Sequence, residues 1–223
     1  MNQELENFVK KANFSKNIYT AGPSSLISSA ISEIQPCFGR NDDQYQEAKE
    51  FVTKYLCKMT SHKNLVSLQG SATLAIEIAI SNFCRGKILV IETGFYSERI
   101  YNILKKQTNI NSQNIDYHSY NLLSKIPREK YDWILCCYTE TSCAFRVDIN
   151  LIKKIAVDLN AKLFLDATAS IGLEKNHELA DLICYSSCKG LFGLTGGSFI
   201  AYKDLDKYST NSIYFDIKTH ISN

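Results

Sequence analysis

The sequence has few of the residues that mark fibrous or disordered chains, and it has no long apolar run. Only 3 of its 223 residues are Pro and 10 are Gly, which excludes a collagen-like chain, while 45% are apolar, which excludes a disordered one. No apolar run approaches the roughly 18 residues that a membrane-spanning helix needs. The 25 basic and 23 acidic residues leave a net charge of +2, too small for a nucleic-acid-binding surface. We therefore expect a single globular domain with neither a membrane nor a nucleic-acid partner.

Metal and disulfide patterns are also absent. The 8 cysteines include no C-x-x-C pair, which zinc ribbons and thioredoxin-like sites require. Cys136 and Cys137 lie in an apolar run, where free cysteine behaves as a small apolar side chain. The amino-terminal segment lacks the apolar core of a signal peptide. The sequence predicts a reduced, cytoplasmic protein without a bound metal.

Short apolar runs alternate with segments of helical period along the chain. The runs predict strands at Asn64–Gln69, Lys87–Glu92, Asp132–Tyr138, Ala161–Asp166, Asp181–Tyr185 and Ser198–Tyr202. The segments between them predict helices at Asp42–Thr60, Thr73–Phe83, Tyr96–Lys106 and Asn150–Leu159. On the first helix one buried stripe is predicted, made of Tyr45, Ala48, Val52, Tyr55, Leu56 and Met59. The alternation predicts a three-layer α/β/α fold around a mostly parallel sheet.

In such a sheet the functional site lies at the carboxyl ends of the strands. The first candidate junction runs from Gln69 to Thr73, where Gly70 allows a tight turn and Ser71 and Thr73 place hydroxyls beside the free N–H groups of a helix start. That arrangement suits a phosphate, although a plain helix cap would have the same residues. Neither G-x-x-x-x-G-K-[ST] nor G-x-G-x-x-G occurs, which disfavours a nucleotide-binding α/β domain.

Three further junctions carry reactive side chains. Asp166 ends an apolar strand, where a buried carboxylate needs a cationic partner or several donors; a turn-capping aspartate is the simpler alternative. Lys189 follows a strand among small residues, and a desolvated lysine is a nucleophile toward carbonyls, although an ordinary surface lysine is the default. Residues 138–142 offer hydroxyls to the same edge. Pyridoxal phosphate needs a lysine for its aldehyde, a carboxylate for its ring nitrogen and a cradle for its phosphate, so the set fits this cofactor.

The order of these motifs resembles the class V, fold type I aminotransferases that use pyridoxal phosphate, and within them the 2-aminoethylphosphonate–pyruvate branch. The resemblance runs from about Tyr19 to about His220. Its motifs are Tyr19-Thr-Ala-Gly-Pro23, Phe38-Gly-Arg-Asn-Asp-Asp-Gln-Tyr45, Leu68-Gln-Gly-Ser-Ala-Thr73, Gly94-Phe-Tyr-Ser-Glu-Arg99, Glu140-Thr-Ser142, Ser186-Ser-Cys-Lys189 and Ile213-Tyr-Phe-Asp-Ile217.

The resemblance implies a role for each matching residue. Lys189 would form the internal aldimine and then move the proton between substrate and cofactor, and Asp166 would keep the pyridine nitrogen protonated. The remaining cofactor-binding residues implied are Ser71, Ala72 and Thr73 for the phosphate, Ser187 for an added hydroxyl, Tyr96 for ring stacking and Thr141 for the cofactor's 3′-oxygen. A core aromatic on its helix is the alternative for Tyr96.

The resemblance also implies a domain organisation. Residues 1–20 would form an amino-terminal helix and lead-in segment, and residues 21–223 the pyridoxal-phosphate-binding large domain. The family's smaller carboxyl-terminal domain, which supplies an arginine for the substrate's acid group, is expected to be absent, as are phosphate contacts borrowed from a partner subunit. A homodimer is the expected assembly.

The expected reaction is transamination of a small primary amine or amino acid with a 2-oxo acid, 2-aminoethylphosphonate and pyruvate being the pair that the branch implies. Alanine–glyoxylate transamination, serine–pyruvate transamination and cysteine desulfuration would use the same cofactor residues. A non-enzymatic alternative is a truncated or degenerate homologue that binds the cofactor or a partner chain without turnover.

Overall fold

A computed structural model describes residue 39 and residues 42–107 and 114–221 of the chain. The expected helix and lead-in over residues 1–20, the 19–23 motif and Cys37 lie outside these residues. The motif at 38–45 is described only in part.

Within the described residues, seven strands form one sheet in the order β1-β9-β8-β7-β4-β2-β3. These strands are β1 (Asn64–Gln69), β2 (Ile88–Glu92), β3 (Ile115–Ser119), β4 (Trp133–Cys137), β7 (Lys162–Asp166), β8 (Leu182–Ser186) and β9 (Gly197–Tyr202), and a separate two-stranded sheet pairs β5 (Thr139–Glu140) with β6 (Phe145–Arg146). Strand β9 is antiparallel to both of its neighbours, whereas β8, β7, β4, β2 and β3 run parallel. The mostly parallel sheet is therefore confirmed.

The helices are α1 (Asp43–Thr60), α2 (Ala72–Phe83), α3 (Phe95–Lys106), α4 (Ile149–Asp158) and the short α5 (Ile217–Ile221), with 3₁₀ turns at Tyr120–Lys125 and His177–Leu179. Alternate residues of the central strands face opposite cores, as a period of two requires. Ile88 and Val90 of β2 pack with α2, α3 and α5, whereas Leu89 and Ile91 pack with α1 and α4. This arrangement confirms the three-layer α/β/α fold. None of the described helices is both long and apolar enough to cross a membrane.

The predicted stripe on α1 is wrong for most of its length. Leu56 is buried, but Tyr45, Ala48 and Val52 are exposed and Tyr55 is 60% exposed. Among the described residues, α1 buries side chains only near its carboxyl end, where it packs against β1. Helical periodicity identifies an apolar face, but it does not show what covers that face.

The sequence did not predict three of the strands that the structure contains. Among the described strands, β3 pairs with β2 alone and lies at the edge of the sheet, and its sequence Ile-Asp-Tyr-His-Ser carries no continuous apolar run. Strands β5 and β6 contain two residues each and are too short to show a period.

Candidate functional site

A cavity of about 500 Å³ opens at the carboxyl edge of the sheet. Strands β1, β4, β7 and β8 end there, and β9 begins there because it runs in the opposite direction. Seven of the eight residues predicted to form the site line this cavity: Ser71, Ala72, Thr73, Tyr96, Thr141, Asp166 and Lys189. The fold therefore brings together residues that are separated by more than a hundred positions in the chain.

The eighth residue, Ser187, is not among those that line the cavity. Its hydroxyl donates to the carbonyl oxygens of Leu194 and Gly197, and it accepts the Gly197 N–H at 3.3 Å. In this structure Ser187 ties the turn after β8 to the loop that leads into β9.

The start of α2 forms one wall of the cavity. The Gly70 N–H donates to the Gly196 carbonyl at 2.8 Å, which joins the end of β1 to the loop before β9. Ser71 is the N-cap residue, but its side chain makes no capping hydrogen bond. The first N–H groups of a helix have no intrahelical acceptor and attract anions. Ser71, Ala72 and Thr73 therefore present donors to the cavity.

Asp166 ends β7 and is 5% exposed. One carboxylate oxygen accepts the Thr168 N–H at 3.0 Å and also the Thr168 hydroxyl. Burial raises the pKa of Asp166 above its ordinary value, and the hydrogen bonds from Thr168 and the charge of Lys189 act in the opposite direction. A cationic group placed in the cavity would stabilise this carboxylate further.

Lys189 lies in the turn after β8, half-buried, with its amine facing Tyr96. Its Nζ donates to the Tyr96 hydroxyl at 3.4 Å and lies 5.0 Å from the centre of the Tyr96 ring. The next residue, Gly190, packs so closely that a Cβ there would come within 2.0 Å of the Ile171 carbonyl oxygen. This close backbone approach holds the turn that carries Lys189.

The start of α3, which carries Tyr96, is held by a carboxylate from the fourth predicted junction. Glu140 is fully buried, and its Oε2 accepts the N–H groups of Tyr96 at 3.0 Å and Ser97 at 3.3 Å. Its Oε1 accepts the hydroxyl of Ser142. Gly94 has φ +151°, and a Cβ there would lie 2.9 Å from Glu140 Cγ. Glu140 therefore positions Tyr96 without lining the cavity itself.

Arg99 lines the cavity, although it is not among the residues predicted for the site. Its Nη1 donates to the Thr73 hydroxyl oxygen at 3.2 Å, and its guanidinium carbon lies 5.0 Å from the ring centres of both Phe95 and Tyr96. The signal in the sequence was its position three residues after Tyr96, which places both side chains on one face of a helix.

Two other lining residues were also missed. The Thr139 hydroxyl oxygen is buried and has no hydrogen-bond partner among the described residues. Burial raises the pKa of the Cys137 thiol, which keeps it protonated. Within the described part of the chain, no cluster of three or more His, Cys, Asp or Glu could hold a metal ion.

The chain is similar in sequence to an uncharacterized aminotransferase from Helicobacter pylori strain J99. The two are 24% identical over 225 residues, which cover 92% of this chain and 60% of the relative. The chain thus spans about three fifths of the length of the curated relative it matches. No protein-family model matches the chain.

Solved aminotransferase structures share the fold. An aspartate aminotransferase of subgroup IV from Thermus thermophilus superposes with a TM-score of 0.79 at 19% identity, covering 91% of this chain and 61% of that one. An alanine–glyoxylate aminotransferase from Nostoc sp. gives 0.74 at 16% identity, with coverages of 92% and 61%. A pyridoxamine–pyruvate aminotransferase from Mesorhizobium loti gives 0.70 at 18% identity, with coverages of 83% and 50%. The chain shares the fold of the 50–61% of these enzymes that it covers.

Proposed function

We propose that the cavity binds pyridoxal 5′-phosphate and that the chain takes part in transamination. The observation that carries the proposal is the convergence of a lysine amine, a buried carboxylate and an uncapped helix start on one cavity. The shared fold and the name of the Helicobacter pylori relative support the same activity.

The cavity fits this cofactor in size and chemistry. Its volume of about 500 Å³ lies within the range of ordinary small-molecule sites. The donors of α2 suit a phosphate, and Asp166 suits a protonated ring nitrogen. The Thr139 hydroxyl, buried without a partner among the described residues, is a polar atom that a bound ligand would satisfy.

Each side chain would have a defined role in the proposed reaction. Pyridoxal phosphate, when bound, supplies an electron sink for the carbon that loses its proton. Lys189 would hold the cofactor through its amine, with loss of water from the cofactor's carbonyl group. When a substrate amine replaces it, the freed Lys189 amine would move a proton from substrate carbon to cofactor carbon as a general base and acid. Asp166 holds the ring-nitrogen proton. Tyr96 would stack on the ring, and Thr141 would donate a hydrogen bond to the cofactor's 3′-oxygen.

The donor that we propose is a small primary amine or amino acid, with a 2-oxo acid as acceptor. The motifs of the sequence favour 2-aminoethylphosphonate with pyruvate. The test is turnover of the purified chain, loaded with cofactor, on 2-aminoethylphosphonate and serine with pyruvate, and on 2-aminoethylphosphonate, alanine and serine with glyoxylate. A higher rate of amino transfer from 2-aminoethylphosphonate than from alanine or serine supports this substrate pair. A higher rate with another pair contradicts it.

We also propose a homodimer, as the resemblance implies. The exposed apolar residues of α1, among them Phe51 at 71% and Tyr55 at 60%, offer surface for such contact. Sedimentation velocity on the chain tests the proposal: a species of twice the chain mass supports it, and a monomer at micromolar concentration contradicts it.

The non-enzymatic alternative predicts cofactor binding without transfer. Visible absorbance on addition of pyridoxal phosphate, together with amino transfer that Lys189→Ala abolishes, supports the enzyme. Absorbance with no transfer from any donor supports a binding homologue. Lys175→Ala, at an exposed lysine outside the cavity, is the matched control.

A further inference from the structure

Arg99 is a cation at the wall of the cavity without a carboxylate partner among the described residues. Its guanidinium donates to the Thr73 hydroxyl oxygen, in the first turn of α2, at 3.2 Å. A guanidinium carries five N–H donors, so this contact leaves others for a ligand. Because Arg99 is charged and lines the cavity, an anion bound there would gain a charge-assisted hydrogen bond.

The neighbours of Arg99 indicate which part of a ligand it would meet. Thr73 and the first-turn N–H groups of α2 are the donors that suit a phosphate. The Thr73 oxygen accepts from Arg99, which leaves the hydroxyl proton of Thr73 available for donation to the same anion. The rings of Phe95 and Tyr96, each centred 5.0 Å from the guanidinium carbon, restrict its movement.

We propose that Arg99 binds the cofactor's phosphate together with the first turn of α2, and that it makes the cavity discriminate phosphorylated from unphosphorylated pyridoxal. This inference rests on the proposed function, since it assigns a residue to the phosphate end of the same site. Arg99 would then be a phosphate-binding cation on α3, the helix that also carries Tyr96.

The test compares two ligands on three proteins. Dissociation constants for pyridoxal 5′-phosphate and for pyridoxal are measured by visible absorbance on the wild-type chain, Arg99→Gln and Arg99→Lys. We expect Arg99→Gln to weaken binding of the phosphorylated ligand by about 10- to 100-fold, the usual cost of losing a charge-assisted hydrogen bond. Binding of pyridoxal should change by less than about twofold, which also shows that the variant is folded. Arg99→Lys, which keeps the charge, should recover part of the loss.

A second variant tests the link to α2. Thr73→Val removes the oxygen that accepts from Arg99. In a chain that carries Thr73→Val, Arg99→Gln should therefore weaken the binding of pyridoxal 5′-phosphate by a smaller factor than it does in the wild-type chain, because the effects of residues that share a ligand are not additive.

Three results would overturn the inference. Equal weakening of both ligands in Arg99→Gln would show that Arg99 only positions Tyr96 or Lys189. Unchanged affinity for the phosphorylated ligand would show that Arg99 does not reach the phosphate. A wild-type chain that binds neither ligand would overturn the proposed function as well, and the first two results leave that function standing.

Discussion

The burial of Asp166 lowers the stability of the folded chain when the carboxylate is charged, and the same carboxylate is the proposed partner of the cofactor's ring nitrogen. The carboxylate is buried at the end of β7, and burial raises its pKa. A carboxyl with a raised pKa favours the protonated form in the folded state. Its contribution to stability is therefore greatest below the ordinary pKa and is lost as the pH rises through the raised value.

We expect Asp166→Asn to stabilise the cofactor-free chain at pH 7 while reducing transamination. The amide can still accept from Thr168 but has no charge to desolvate. Each kcal/mol gained would raise the melting temperature by about 2–4 °C for a chain of this size. The rate should fall by about a hundredfold or more, as when a preorganised electrostatic partner is lost.

Thermal melts at pH 7 and pH 3.5, with single-turnover rates at pH 7, measure both effects. The stability difference should shrink at the lower pH, where the wild-type carboxyl is protonated. A variant that is less stable than the wild type at pH 7 would contradict this account of Asp166.

At the level of elements, the junction of β5 with α3 holds the site together. Glu140 accepts two N–H groups from the first turn of α3 and the hydroxyl of Ser142. A carboxylate at a helix start is stabilised by the helix dipole and by these donors. The sequence identified Tyr96 and the 138–142 segment as separate features. Their contact joins residues 44 positions apart, which no local pattern reveals.

We expect Glu140→Gln to destabilise the chain by about 1–3 kcal/mol, because the buried amide loses charge-assisted hydrogen bonds and must place an NH₂ group among donors. Affinity for pyridoxal phosphate should also fall, since the Tyr96 backbone is bound to this carboxylate. Urea denaturation and absorbance titration measure the two effects. Glu98→Gln, on the exposed side of the same helix, is the control and should change neither by much. Equal effects from both variants would contradict the role assigned to Glu140.

The stability of the whole chain is expected to depend on pH through one buried histidine. His177 is 4% exposed and lies 2.9 Å from the Ser170 hydroxyl. Burial lowers the pKa of His177 from 6.5 to about 4, so the folded state favours the neutral ring. The stability that this provides is complete above the ordinary pKa and is lost as the pH falls from about 6.5 to about 4.

We expect the wild-type chain to lose about 3 kcal/mol more than His177→Gln over that interval of pH, since one pKa unit corresponds to about 1.4 kcal/mol. Urea denaturation of both proteins at pH 7, 5.5 and 4 gives the comparison, because other titrating groups are common to the two. Identical pH dependences would show that His177 is free to be protonated in the folded state.

The sequence predicts the central part of this molecule better than its edges. All six predicted strands occur within a residue or so of their expected bounds. The parallel strands β2, β4, β7 and β8 are largely buried, and such strands are continuous apolar runs in the sequence. Asp166 and Lys189 were predictable for a related reason, since Asp166 is the last residue of β7 and Lys189 lies in the turn after β8. Strand β3 was not, because an edge strand keeps polar residues, and the exposed face of α1 was not, because its periodicity also fits a buried helix.

Within the site, the predicted residues that line one cavity lie at strand ends or at the helix starts that follow them. Arg99 and Glu140 were missed because they act across elements, Arg99 toward the start of α2 and Glu140 toward the start of α3. Ser187 is the opposite case: it lies beside Lys189 in sequence, yet its hydroxyl is engaged with the loop before β9.

We propose that Lys189 binds pyridoxal phosphate covalently in this cavity. The direct measurement is reduction of the chain with borohydride after incubation with pyridoxal phosphate, which converts a C=N bond to a stable amine, followed by peptide mass mapping. We predict that one equivalent of reduced cofactor is found on Lys189 and that inorganic phosphate at high concentration lowers its yield. Labelling spread over exposed lysines, or a peptide containing Lys189 that stays unmodified, would contradict the claim.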